Sequence, residues 1–72
     1  VKLNPRYAEA INNLGTVAYA QRSYRRATNF YRRALVVTPD SASIHSNLGT
    51  ALFARKKYEQ AIAEYQRAVE LD

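Results

Sequence analysis

The chain has no cysteine, methionine or tryptophan, and only two glycines and two prolines. Without thiols there is no disulfide, no thiolate nucleophile and no thiolate metal site, which suits a reducing compartment. No apolar run approaches the roughly 20 residues that cross a bilayer. The opening VKLNPRY lacks the apolar stretch and cleavage site of a secretory leader. A cytoplasmic location without membrane contact is the expectation. Histidine occurs once, at His45, and a zinc site needs further His or Cys ligands. There is no Ser-His-Asp spacing and no glycine-rich phosphate loop, and Glu59 and Glu64 are too unevenly spaced to share a helical face. No catalytic residue, metal or cofactor is therefore expected. His45 reads as a side chain filling an aromatic packing slot at a helix interface rather than as a general base. At 72 residues there is room for one small domain, whose buried area barely offsets the entropy of ordering the chain.

What the chain does have, it has twice. Asn13-Leu14-Gly15-Thr16 returns as Asn47-Leu48-Gly49-Thr50, 34 residues later. Ala8, Ala20, Tyr24, Ala27, Tyr31, Arg33 and Ala34 return at the same interval as Ala42, Ala54, Tyr58, Ala61, Tyr65, Arg67 and Ala68, and Pro5 returns as Pro39. A fixed period of this length is the mark of a stacked array.

Within each copy the apolar period is helical. Ile11, Leu14 and Ala18 fall at i, i+3 and i+7, matched by His45, Leu48 and Leu52. Ala27, Tyr31, Ala34 and Leu35 do the same later in the copy, matched by Ala61, Tyr65, Ala68 and Val69. No segment alternates as a strand would. Asn4-Pro5 and Thr38-Pro39 each set a capping residue before a proline, the pattern of a helix start. The breaks at 22–24 and 56–58 divide each copy. Helices are predicted at about 6–21, 25–37, 40–55 and 59–71, with ends uncertain by ~2–4 residues. Gly15, Ala20, Ala27 and Ala34 are small enough to let two helices approach, with Tyr24 and Tyr31 filling the angle between them.

These residues resemble the tetratricopeptide repeat, whose signature is a Trp, then Leu-Gly, then Tyr, followed by Ala, Phe and Pro. Leu14-Gly15, Ala27, Tyr31 and Pro39 match, as do Leu48-Gly49, Ala61 and Tyr65. Ile11 and His45 stand in place of the Trp, and Ala18 and Leu52 in place of the first Tyr. The resemblance implies an all-α fold of antiparallel helical hairpins stacked as a right-handed solenoid. It divides the chain into a tail and linker at 1–7, a repeat at 8–41 and a second, truncated repeat at 42–72. It further implies a protein-interaction scaffold that holds an extended peptide or partner segment in a concave groove lined by the first helix of each repeat. The groove residues would be Asn12, Asn13, Thr16, Tyr19, Ser46, Asn47, Thr50 and Phe53, flanked by Glu9, Ala20, Ser43 and Ala54. An Asn just before Leu-Gly resembles the asparagine-ladder repeats of O-linked N-acetylglucosamine transferase. The carboxylate clamp of co-chaperone repeats is not matched, because Asn12 and Ser46 stand where its Lys belongs.

Charge is lopsided, with 11 Lys and Arg against 6 acids and a net +5. Residues 42–72 are neutral and 8–41 carry +3, concentrated in Arg22, Arg25, Arg26, Arg32 and Arg33. That stripe supports an alternative function, polyanion or nucleic-acid binding through the outer helix, although no nucleic-acid motif accompanies it. A purely structural length of superhelix is the third reading. The chain starts on Val1, and Val1-Lys2-Leu3 reads as the end of an earlier repeat's second helix. With two repeats where arrays generally need about three, Ala10, Ile11 and Leu14 at one end and Ile62, Tyr65, Val69 and Leu71 at the other should lack neighbours. A homo-oligomer formed by end-to-end stacking or helix exchange is the expectation.

Overall fold

Four α-helices and the turns between them make up the described residues, 4–72, of the computed structural model. They are α1 (Pro5–Ala20), α2 (Tyr24–Val37), α3 (Ala42–Ala54) and α4 (Tyr58–Leu71). The reading of Val1-Lys2-Leu3 as the tail of an earlier helix lies outside the described residues. Helices α1 and α2 form one antiparallel hairpin, α3 and α4 form the other, and α2 packs against α3 to join them. The fold is all-α, a stack of two helical hairpins.

Local chemistry accounts for the helix ends. Asn4 accepts a hydrogen bond from the Arg6 N–H at 2.9 Å, and Pro5 occupies the first helical position, where its missing N–H costs nothing. Helix α1 closes with Ser23 N–H bonded to Ala18 O (2.8 Å) and Arg22 N–H to Tyr19 O (2.9 Å). This is a Schellman motif, and Arg22 takes the left-handed conformation it requires, with φ 62°. The same ending recurs after α3. Lys57 N–H bonds Leu52 O, Lys56 N–H bonds Phe53 O, and Lys56 has φ 64°.

The start of α3 differs from the expectation drawn from Thr38-Pro39. Thr38 ends α2, its N–H bonded to Ala34 O at 3.0 Å. Pro39 and Asp40 form the turn, and Ser41 caps α3 by accepting from the Ile44 N–H at 3.3 Å. The chain must reverse between α2 and α3, and residues 38–41 are spent on that reversal. The helix therefore begins at Ala42 rather than 40.

Each hairpin closes where its glycine meets a tyrosine ring. A Cβ added to Gly15 would lie 2.7 Å from Tyr31 Cε1, and one added to Gly49 would lie 3.0 Å from Tyr65 Cδ1. Ala27, Ala34 and Ala61 are fully buried in the core. Ala20 is exposed, a correction to its place among the close-packing residues. It lies two positions after buried Ala18, about 200° round the helix, and so faces away from the side that α1 buries. Between the hairpins, the buried residues of α2 (Ala27, Thr28, Tyr31, Ala34) share one core with Ile44, Leu48, Ala51 and Leu52 of α3. Thr28 is fully buried. Its hydroxyl donates to Arg25 O at 2.7 Å and accepts from Arg55 Nη1 at 3.0 Å, so burial leaves it no unmet hydrogen bond.

Equivalent residues end up in unequal surroundings. Leu48 is 3% exposed and Leu14, its counterpart, 51%. Helix α3 has α2 on one side and α4 on the other, whereas α1 packs chiefly against α2.

Candidate functional site

The groove residues lie on α1 and α3, and short side chains bring the two helices' polar faces together at one point. Asn47 Nδ2 donates to Asn12 Oδ1 at 3.0 Å, linking one repeat to the next. Both asparagines are half-buried, while Asn13 is exposed. Asn13 and Asn47, interchangeable in sequence, are thus different in structure. The bond from Asn47 runs to the preceding repeat, and Asn13 has no such repeat beside it among the described residues. Next to this bridge is a depression of about 360 Å³, bordered by Glu9, Asn12, Asn13, Ser41, Ser43 and Ile44. Glu9, Asn12, Asn13 and Ser43 are expected there from the repeat register; Ser41 and Ile44 are not, because their place depends on where α3 starts.

The other groove candidates serve the hairpins as well. Thr16 Oγ1 donates to Asn12 O at 3.1 Å and meets Tyr31 Oη at 3.1 Å. Thr50 repeats this with Ser46 O at 3.1 Å and Tyr65 Oη at 2.9 Å. A threonine hydroxyl has one proton, which the carbonyl takes, so each tyrosine must be the donor to its threonine. This accounts for tyrosine where the repeat signature has phenylalanine. The recurrence of Thr with Tyr in both copies is the sequence signal for it. Tyr19 packs edge-on against Tyr24 with ring centroids 5.2 Å apart, and Phe53 against Tyr58 at 5.1 Å. Ser46, one turn after Ser43 on α3, borders a second depression with Ser43, Ala68 and Val69.

His45 sits at the interface between α3 and α4, as expected, and makes polar contacts there. Its Nδ1 lies 2.6 Å from Glu64 Oε1 and its Nε2 lies 2.8 Å from Pro39 O. Both partners are acceptors, and the tautomer decides which ring nitrogen donates. The residue ties α3 to α4 and to the turn before it, a polar strut where the signature places Trp. Glu64 enters this pair from α4, and no spacing along the chain signals that it does.

The five arginines of the basic stripe separate into two groups. Arg22, Arg25 and Arg26 border a depression of about 770 Å³ together with Arg55 and Lys57 from the second repeat. Arg32 instead donates to Gln60 Oε1 at 3.3 Å, and the Arg33 guanidinium lies 5.9 Å above the Phe30 ring. Arg55 and Lys57 do not stand out in the sequence. The clue to them is that both inter-helix turns fall at the same point of the repeat, so stacking sets them on one edge.

The candidate sites thus lie on two stacked helical hairpins, with amides on one face and cations at the turn edge. The tetratricopeptide repeat family model matches residues 12–72, and the chain belongs to that family. Repeats of this family are in general non-catalytic and bind protein partners. A comparison with curated proteins found no match. Among the described residues, no helix is long and apolar enough to cross a membrane.

Proposed function

We propose that the face formed by α1 and α3 holds an extended segment of a partner protein by its backbone. The observation that carries this reading is the Asn12–Asn47 bridge. It occupies one acceptor and one donor, leaving the Asn12 amide N–H groups and Asn47 Oδ1 without a side-chain partner among the described residues. An amide that both donates and accepts matches the alternating needs of a peptide backbone. The neighbouring Asn13 and Ser43 are short and uncharged, and Asn13 is exposed, so a backbone can approach them closely. This supports the ladder-like use of asparagine, with Asn12 joining Asn47 in the rung.

The test is affinity for a peptide selected on the intact chain. Replacing Asn12 and Asn47 together by Ala should weaken binding by ~0.5–1.5 kcal/mol for each hydrogen bond to the peptide that is removed. Asn13→Ala, which removes no inter-repeat bond, should weaken it without changing the melting temperature. Peptide-induced amide shifts confined to 24–37 would overturn this reading.

A second reading, self-association, is favoured by how the two repeats are related. Helix α3 covers Thr28, Tyr31 and Leu35 of α2; their counterparts on α4 are Ile62, Tyr65 and Val69. Ile62 is 55% exposed and Val69 76%, and both border an apolar depression of about 510 Å³. On the opposite side, Ala10, Leu14 and Val17 of α1 are the counterparts of buried Ile44, Leu48 and Ala51, and all three are exposed. The shift that carries the first hairpin onto the second, applied once more, would lay α1 of another copy on α4. Such a head-to-tail contact is heterologous, joining two different faces of the chain. Each side chain fully buried in it contributes roughly 1.5–3 kcal/mol. Sedimentation should show mass rising above 8.2 kDa with concentration, and Ile62→Lys with Val69→Lys should restore the monomer. A monomer at all concentrations up to millimolar would refute the stacking.

A further inference from the structure

The depression of about 770 Å³ at the turn edge is strongly cationic. Five cations border it (Arg22, Arg25, Arg26, Arg55 and Lys57), and no acid does. Among the described residues no Asp or Glu carboxylate forms a salt bridge with any of the five, so these cations are not neutralised from within. Three come from the first repeat and two from the second, so the cluster exists only when the hairpins stack. Arg55 is also held in place: its Nη1 donates to the fully buried Thr28 hydroxyl at 3.0 Å. The remaining N–H groups of its fork are oriented before any ligand arrives.

The two repeats show that this charge runs against the stability of α2. Arg25 and Arg26 occupy the first turn of α2, where the positive end of the helix dipole disfavours cations. At the equivalent places α4 has Glu59 and Gln60, and its first turn carries the acid that the dipole favours. The same fold position therefore accepts the stabilising residues in one copy and has the destabilising ones in the other. Arg22 takes a left-handed backbone conformation that glycine would adopt more readily, as does its counterpart Lys56. Residues that oppose local stability without an internal partner fit a binding surface.

We propose that this depression binds a protein segment carrying a run of Asp and Glu carboxylates. The cations are distributed over two turns from two repeats, which suits several separate negative charges on an extended chain better than a single phosphate. Guanidinium forks pair with carboxylates in bidentate fashion. A single-stranded nucleic acid would need open aromatic faces for its bases. The one aromatic residue at this site, Tyr24, is already engaged edge-on with Tyr19. The site shares no residue with the depression beside Asn12, so it is separate from the proposed groove.

The experiment titrates the intact chain with a hexaglutamate peptide at low salt, followed by amide NMR. Shifts are expected at residues 22–29 and 55–57, weakening as ionic strength rises and the Debye length falls below about 10 Å. The double variant Arg25→Glu, Arg26→Gln writes the second repeat's own residues into the first. It should melt higher than the parent and bind hexaglutamate on the order of tenfold more weakly or worse. Arg22→Gly, which removes a charge and relaxes the backbone, should also weaken binding without loss of stability. Asn12→Ala with Asn47→Ala should leave hexaglutamate binding unchanged, so failure of the groove and failure of this site are distinguishable. Unchanged affinity in both arginine variants, or shifts at 9–20 instead, would overturn the proposal. Tighter binding of hexathymidylate at the same residues would overturn it in favour of nucleic acid.

Discussion

Leu48→Ala is expected to cost ~2–5 kcal/mol, the range for truncating a buried leucine whose surroundings cannot fully collapse. Leu48 is buried between α2 and α4 in the shared core. A domain of this length has a total stability of roughly 4–11 kcal/mol, so the variant should lose a large share of it and melt well below the parent. Leu14→Ala, the same change at the same place in the other repeat, should cost less than about 1 kcal/mol, since half of Leu14 is in water already. Urea denaturation of the two variants gives the comparison directly. Equal losses would mean that α1 has a neighbour covering Leu14 in solution, as head-to-tail stacking requires. Repeating the measurement at low protein concentration would separate the two cases.

The second large effect concerns the glycines. Gly15→Ala gains about 1 kcal/mol of helix propensity but drives a methyl group to 2.7 Å from the Tyr31 ring. Tyr31 is buried beneath α3 and its hydroxyl is bonded to Thr16, so it cannot swing aside. Overpacking of this kind costs ~1–3 kcal/mol, and Gly15→Leu should exceed that and open the first hairpin. At Gly49 the ring of Tyr65 stands 3.0 Å away and is only half-buried, so it can shift toward the open side. Gly49→Ala should therefore be the milder substitution, limited by the Ala61 carbonyl at 3.2 Å. Calorimetric melting of both alanine variants tests the order, and a greater loss at Gly49 would contradict it.

How far the candidate sites can be read from the sequence follows from what each depends on. Asn12, Asn13 and Asn47 are legible because the repeat register assigns a helix face to each. That Asn47 bonds to Asn12 and not to a counterpart of itself depends on how far one hairpin is displaced from the next. The same displacement adds Arg55 and Lys57 to Arg22, Arg25 and Arg26, and leaves Arg32 and Arg33 apart. The role of His45 is hidden for a related reason: its partners, Glu64 and the Pro39 carbonyl, become neighbours only when α4 folds back and the preceding turn closes.

The sequence by itself determined the helical period, the 34-residue repeat, the two connecting turns and the close approach at each glycine that sets the hairpin angle. These are local or near-local, written in spacing along a single chain, and they appear twice. Only the tertiary structure decided which of two identical motifs is buried, which of two equivalent asparagines is bonded, and which cations share a cavity. Those outcomes depend on what lies across the interface between hairpins. A repeat writes its own packing into its residues, but whether a neighbour is present on either side is a property of the stack.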